Sequence, residues 1–128
     1  MEEKRILVVD DQPVIREMFK RSFERAGYTV ITAASAEEAL EIMPKTPCSV
    51  LFLDLDLPGM DGIELCRVIR KQWPMAIPYA VTGYTTLYQL SECREAGFED
   101  YFSKPAKMAD LRKAAELAFE KLERWKQR

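Results

Sequence analysis

Two short and strongly apolar segments constrain this chain more than anything else in it. Ile6-Leu7-Val8-Val9 runs without a polar break into Asp10-Asp11, and the segment Ser49 to Leu53 runs into Asp54. A half-exposed strand alternates apolar and polar residues. A strand apolar throughout has both faces covered, as in a parallel sheet layered between helices. The intervening sequence supplies those helices. Pro13 stands where a helix can begin, and Ile15, Met18, Phe19, Phe23 and Ala26 recur at helical spacing and read as its inner face. Gly27 provides a left-handed residue to end it. Thr29 to Thr32 reads as a strand, and Ala36 to Met43 as a helix with Ala39, Leu40 and Met43 inward.

The pattern repeats after Asp54. A loop, Leu57-Pro58-Gly59-Met60-Asp61-Gly62, precedes a helix from about Gly62 to Lys71 with Ile63, Cys66 and Ile69 inward. Ile77 to Val81 is a strand despite Pro78, Leu87 to Ala96 a helix stopped by Gly97, Glu99 to Phe102 a strand, and a last helix starts near Met108. The alternation predicts an α/β fold, (βα)5, with a five-stranded parallel sheet and right-handed crossovers. An α+β domain is the alternative, because the Thr29 and Glu99 strands are short.

Composition narrows the chemistry. A length of 128 residues suits one domain with one core, and 48% apolar with 31% charged residues is the balance of a folded globule. Nineteen Lys and Arg against twenty-one Asp and Glu, a net charge of -2, give no global attraction to nucleic acid or anionic lipid. The absence of His removes imidazole bases, ligands and triads. Cys48, Cys66 and Cys93 are odd in number and lack CxxC spacing, so they read as reduced thiols and not as disulfides or a zinc site. Neither GxGxxG nor GxxxxGK[ST] occurs, which argues against a nucleotide-binding loop. No apolar stretch matches a signal peptide or a membrane span, and a cytoplasmic location is expected.

The acids fall where such a fold places its site. Ligands of open α/β sheets gather outside the C-terminal ends of the strands, and Asp10, Asp11 and Asp54 close the first and third. Three carboxylates converging there repel one another unless a cation compensates, and an oxygen-only set favours Mg²⁺, or Mn²⁺. Thr82 follows the fourth strand and Lys104 the fifth. A hydroxyl and an ammonium beside a cation and a carboxylate suit the oxygens of a phosphoryl group.

These residues resemble the receiver domain of bacterial two-component response regulators. The resemblance is carried by Val8-Val9-Asp10-Asp11 with Pro13, by Asp54 with Leu57 to Gly62, by Thr82, and by the segment Ala96 to Pro105 that includes Tyr101 and Lys104. It covers roughly residues 4 to 120, and the order and spacing of the pieces make it specific. It implies a flavodoxin-like, doubly wound sheet of order 2-1-3-4-5. It further implies that Asp54 is the phosphoacceptor for a phosphohistidine on a sensor histidine kinase or histidine phosphotransfer protein. Asp10, Asp11, Asp54 and the backbone carbonyl of Asp56 would hold Mg²⁺. Thr82 and Lys104 would contact the phosphoryl group, and Thr82 and Tyr101 would act as switch residues. The domain would catalyse its own phosphorylation and dephosphorylation without being a conventional enzyme.

Several positions depart from the commonest pattern of that family. Asp56 and Tyr84 stand two residues after Asp54 and Thr82, where the family tunes access of water, and are expected to set the lifetime of the phosphoprotein. Gly83 replaces a small side chain, and Ala106 stands where Phe commonly follows Lys-Pro. The receiver is expected over residues 1–120, with 121–128 extending the last helix or opening a linker. Leu111, Ala115, Ala118, Leu122 and Trp125 form a heptad-like stripe there, with Leu122 and Trp125 past the domain edge, suited to a homodimer contact or a link to an effector domain. No membrane contact and no direct nucleic-acid binding are expected of the domain. A hydrolase with an Asp nucleophile, the main rival, would place that Asp after the first strand and would need a cap for which little sequence remains.

Overall fold

A computed structural model describes residues 3–83 and 86–127. The elements alternate throughout: β1 (Arg5–Val9), α1 (Pro13–Arg25), β2 (Thr29–Ala33), α2 (Ala36–Ile42), β3 (Val50–Asp54), α3 (Gly62–Gln72), β4 (Ile77–Thr82), α4 (Leu87–Ala96), β5 (Asp100–Ser103) and α5 (Met108–Lys126). All strand pairs are parallel and the order is β2-β1-β3-β4-β5. This is the flavodoxin-like (βα)5 architecture, and the α+β alternative is set aside. Among the described residues no helix is long and apolar enough to cross a membrane.

Alternate residues of each strand enter two separate cores, which is why Ile6 to Val9 of β1 and Val50 to Leu53 of β3 are apolar without a break. Leu7, Val9, Leu51 and Leu53 pack with Ala39 of α2 and Met43 at its C-terminal cap, Leu65, Cys66 and Ile69 of α3, and Cys93 of α4. Ile6, Val8, Val50 and Phe52 pack on the other face with Phe19 and Phe23 of α1 and Leu111, Ala115 and Ala118 of α5. The second core is aromatic. Phe52 stacks between Phe23 at 4.9 Å and Tyr79 at 5.2 Å, and Tyr79 meets Phe102 at 5.9 Å. Buried Tyr79 donates its hydroxyl to the carbonyl of Ala114 at 3.1 Å, satisfying the polar end of a ring whose burial pushes its pKa up to about 12.

The inner face of α1 is narrower than its spacing suggested. Phe19 and Phe23 are buried and Ile15 is half-buried, a row four residues apart, whereas Met18 (44% exposed) and Ala26 lie outside the packed stripe. Leu122 also differs from expectation: it is buried in the aromatic core, while Trp125 is 56% exposed. Trp73 caps α3, its N–H donating to the carbonyl of Ile69 at 2.7 Å, so both tryptophans lie at the ends of helices that start near the C-terminal edge of the sheet.

Helices α2, α3 and α4 start where short polar side chains receive their free amides. Asp61 accepts from Glu64 N–H at 2.9 Å, Ser35 from Glu38 N–H at 3.1 Å, and Thr86 forms a capping box with Gln89. Gly97 closes α4 in the left-handed region at φ 104°, where a side chain is strained.

Candidate functional site

Burial of β1 and β3 on both faces leaves only their ends free to present polar atoms, and three acids stand at the C-terminal ends. Asp10 follows β1 and is 2% exposed, Asp54 is the last residue of β3 at 5%, and Asp11 is exposed. One carboxylate oxygen from each lies within 4.8 Å of the others. Asp10 is bonded at every polar position: its N–H donates to Ala33 at 3.1 Å, its carbonyl accepts from Arg16 Nη1 at 2.7 Å, and Oδ1 accepts from Gln12 N–H at 2.9 Å. Its Oδ2 accepts from Lys104 Nζ at 2.8 Å. Asp54 receives the Asp56 N–H on Oδ1 at 3.2 Å, and its Oδ2 lies 3.4 Å from the same Lys104 ammonium.

Thr82 and Lys104 enter from the other side of β3. Asp54 pairs with Val81 in the sheet register, so Thr82, 1% exposed, stands one step beyond it at the end of β4. Its carbonyl accepts from Lys104 N–H at 2.8 Å, linking the two strand ends ahead of the cis Lys104-Pro105 bond. Thus the structure brings Asp10, Asp11, Asp54 and Lys104 together and puts Thr82 at the neighbouring strand end. The Asp56 side chain is exposed, and Tyr101 is 39% exposed on β5. Tyr84 lies outside the described residues.

The electrostatics follow from that crowding. Burial raises the Asp54 carboxyl above the ordinary aspartate range; the Asp56 N–H opposes this, the Asp10 charge adds to it, and Lys104 opposes it. Burial pulls Lys104 down, but the hydrogen bond and charge of Asp10, then the charge of Asp54, outweigh it and hold the ammonium above its usual value. Three carboxylates stand against one ammonium. The remaining negative charge fits a hard divalent cation with oxygen ligands, and the cluster can bind one.

Several positioning contacts carry no clear sequence signal. Arg16 clamps the Asp10 carbonyl from one turn inside α1, and nothing in its spacing marks it. Gly62 had a legible cue, a glycine opening a helix. A Cβ there would overlap the Asp54 carbonyl, so α3 can approach the acid only without a side chain.

A family model, the response regulator receiver domain, matches residues 6–116. The chain belongs to that family. A receiver domain accepts a phosphoryl group on an aspartate, catalyses both that transfer and the later loss of the group to water, and works opposite a histidine kinase or phosphotransfer protein of a two-component system. The alkaline phosphatase synthesis transcriptional regulatory protein of Bacillus subtilis is 38% identical over 102 residues, covering 80% of this chain and 42% of that protein. Sporulation initiation phosphotransferase F of the same organism is 33% identical over 114 residues, covering 89% and 92%. This receiver therefore spans less than half of the first relative and nearly all of the second. Among solved structures, a receiver domain protein from Methanospirillum hungatei superposes with a TM-score of 0.89 at 34% identity, covering 96% of this chain and 99% of that one.

Proposed function

We propose that Asp54 is the phosphoacceptor, and that the observation carrying this is its place within reach of both Asp10 and Lys104 at the end of a fully buried strand. Asp54 attacks the phosphorus of a phosphohistidine; the new O–P bond forms as the P–N bond breaks, and the imidazole leaves with its electron pair. Lys104 sits 3.4 Å from Asp54 and can follow charge onto the phosphoryl oxygens, exchanging part of its hold on Asp10. Thr82 offers a hydroxyl from the next strand end to another phosphoryl oxygen. Asp10, Asp11, Asp54 and the Asp56 carbonyl would hold Mg²⁺, with Mn²⁺ as a substitute, and the bound charge would offset the repulsion between an acid nucleophile and an anionic donor.

The acyl phosphate carries about -2 charge beside Thr82 and Lys104, about one negative charge more than the carboxylate it replaces. Both belong to the β4 and β5 edge, so the response runs outward through Tyr101 and α4. Asp56 and Tyr84 set the lifetime of the acyl phosphate; for Tyr84 this rests on its position two residues after Thr82. The receiver unit, expected over residues 1–120, takes in buried Leu122 as well, and the last turn of α5 with exposed Trp125 leads toward a homodimer contact or an effector, in the cytoplasm.

Incubating the wild type and Asp54→Asn with acetyl phosphate and Mg²⁺ tests the assignment. Acid-labile phosphate is expected on the wild type alone, and equal incorporation into both proteins overturns it.

A further inference from the structure

Glu37 lies in the first turn of α2 and has no part in the site as described. Its Oε2 accepts from the Met60 N–H at 3.1 Å, a contact between residues 23 apart in sequence. Gly59 leaves room for the same oxygen: with φ at 75°, a Cβ there would stand 2.9 Å from Glu37 Oε2. The carboxylate therefore crowds the space a Cβ would take on one loop residue while holding the amide of the next. Its own backbone N–H, and then that of Met60, keep Glu37 below the usual carboxylate range, so it is a charged acceptor at neutral pH. The adjacent Glu38 ties the other loop, accepting from Ala34 N–H at 2.5 Å.

The segment Glu37 grips is the loop that leaves Asp54. Its near end is set by the Asp56 N–H on Asp54 Oδ1 and its far end by the Gly62 N–H on the Leu55 carbonyl at 3.1 Å. Between these, buried Leu57 and the Glu37–Met60 bond hold the loop down from the side of α2. We propose that Glu37 is a positioning residue for the divalent-ion site, keeping the β3–α3 loop in the shape in which the Asp56 carbonyl serves the ion. This rests on the reading that Asp10, Asp11, Asp54 and that carbonyl bind the metal. The action is geometric. Glu37 is exposed, and an exposed charge outside the cluster is screened by salt.

Mn²⁺ binding, followed through the free-ion electron paramagnetic resonance signal, separates the alternatives. Glu37→Ala is expected to weaken Mn²⁺ binding about threefold to tenfold, the equilibrium worth of one hydrogen bond. Glu37→Gln, which keeps an acceptor and drops the charge, should stay within about twofold of wild type, as should Glu41→Ala, which removes an exposed acid elsewhere on α2. Gly59→Ala should match Glu37→Ala. Without metal, the Met60 amide should exchange faster in Glu37→Ala and not in Glu37→Gln. Wild-type affinity in Glu37→Ala overturns the inference, as does equal weakening in Glu37→Gln and Glu41→Ala, which would mark a charge effect. A wild type that takes up no Mn²⁺ overturns the metal reading itself, and this inference with it.

Discussion

Strands β3 and β5 flank β4, yet they are built on opposite terms. Every residue of β3 is buried, while in β5 only Phe102 is even half-buried. The neighbouring helices follow suit. Helix α3 buries Gly62, Ile63, Leu65, Cys66 and Ile69, whereas α4 buries Cys93 and Ala96 and leaves Leu87 86% and Tyr88 74% exposed. The acids therefore stand on a half of the molecule with dense cover, and Lys104 arrives from a half with little. A site whose charges straddle the two has one side that holds still and one that can yield.

Substitutions can break or sharpen that contrast. Phe52→Ala removes a fully buried ring stacked on both sides and should cost about 3–5 kcal/mol in urea unfolding. A loss below about 1 kcal/mol would show that the β3 side is no better packed than the β5 side. Lys104→Ala strips the counterion from two buried acids and should cost about 1–2 kcal/mol in EDTA, discounted because the lysine is partly solvated. Saturating Mg²⁺ should recover much of that loss, and a deficit unchanged by Mg²⁺ would make Lys104 a packing residue.

Asp54→Asn should act in the opposite direction. The raised Asp54 pKa means that the folded chain prefers the protonated acid. That preference is fully present below the ordinary aspartate pKa and is lost as pH rises through the raised value. At pH 7 without metal the wild type holds a charged, poorly solvated carboxylate, so Asn should raise the melting temperature by a few degrees. The gap should close as the pH falls below the aspartate range; a gap independent of pH would remove charge as its cause. The smallest effect belongs to Leu87→Ala, within about 0.5 kcal/mol at an exposed position of α4.

The sequence reading succeeded where burial leaves a one-dimensional trace. Unbroken apolar runs placed β1 and β3, and the acids that ended them had nowhere to be except at the sheet edge. Boundaries moved by a residue, as where β3 takes in Asp54, because apolarity marks burial and not the last hydrogen-bonded pair. Asp10 and Asp11 look alike in sequence, yet one is buried and the other exposed, a difference set by the turn into α1. Contacts such as Lys104 to Asp10, 94 residues apart, leave no periodic signal, although the family resemblance supplied the outline of the site. Met18 was misplaced because spacing alone cannot tell how wide a groove its helix fills, and Leu122 because the length of α5 hid how far the aromatic core reaches beneath it.

The placement of Trp73 and Trp125 has a practical consequence. Helices α3 and α5 carry both indoles to the end of the molecule opposite the acids, at least the length of a five-residue strand away, about 17 Å. Their ultraviolet emission should ignore chemistry confined to the carboxylates. Any change in that emission when the acceptor is modified would act as a ruler, registering a rearrangement that had crossed the whole sheet.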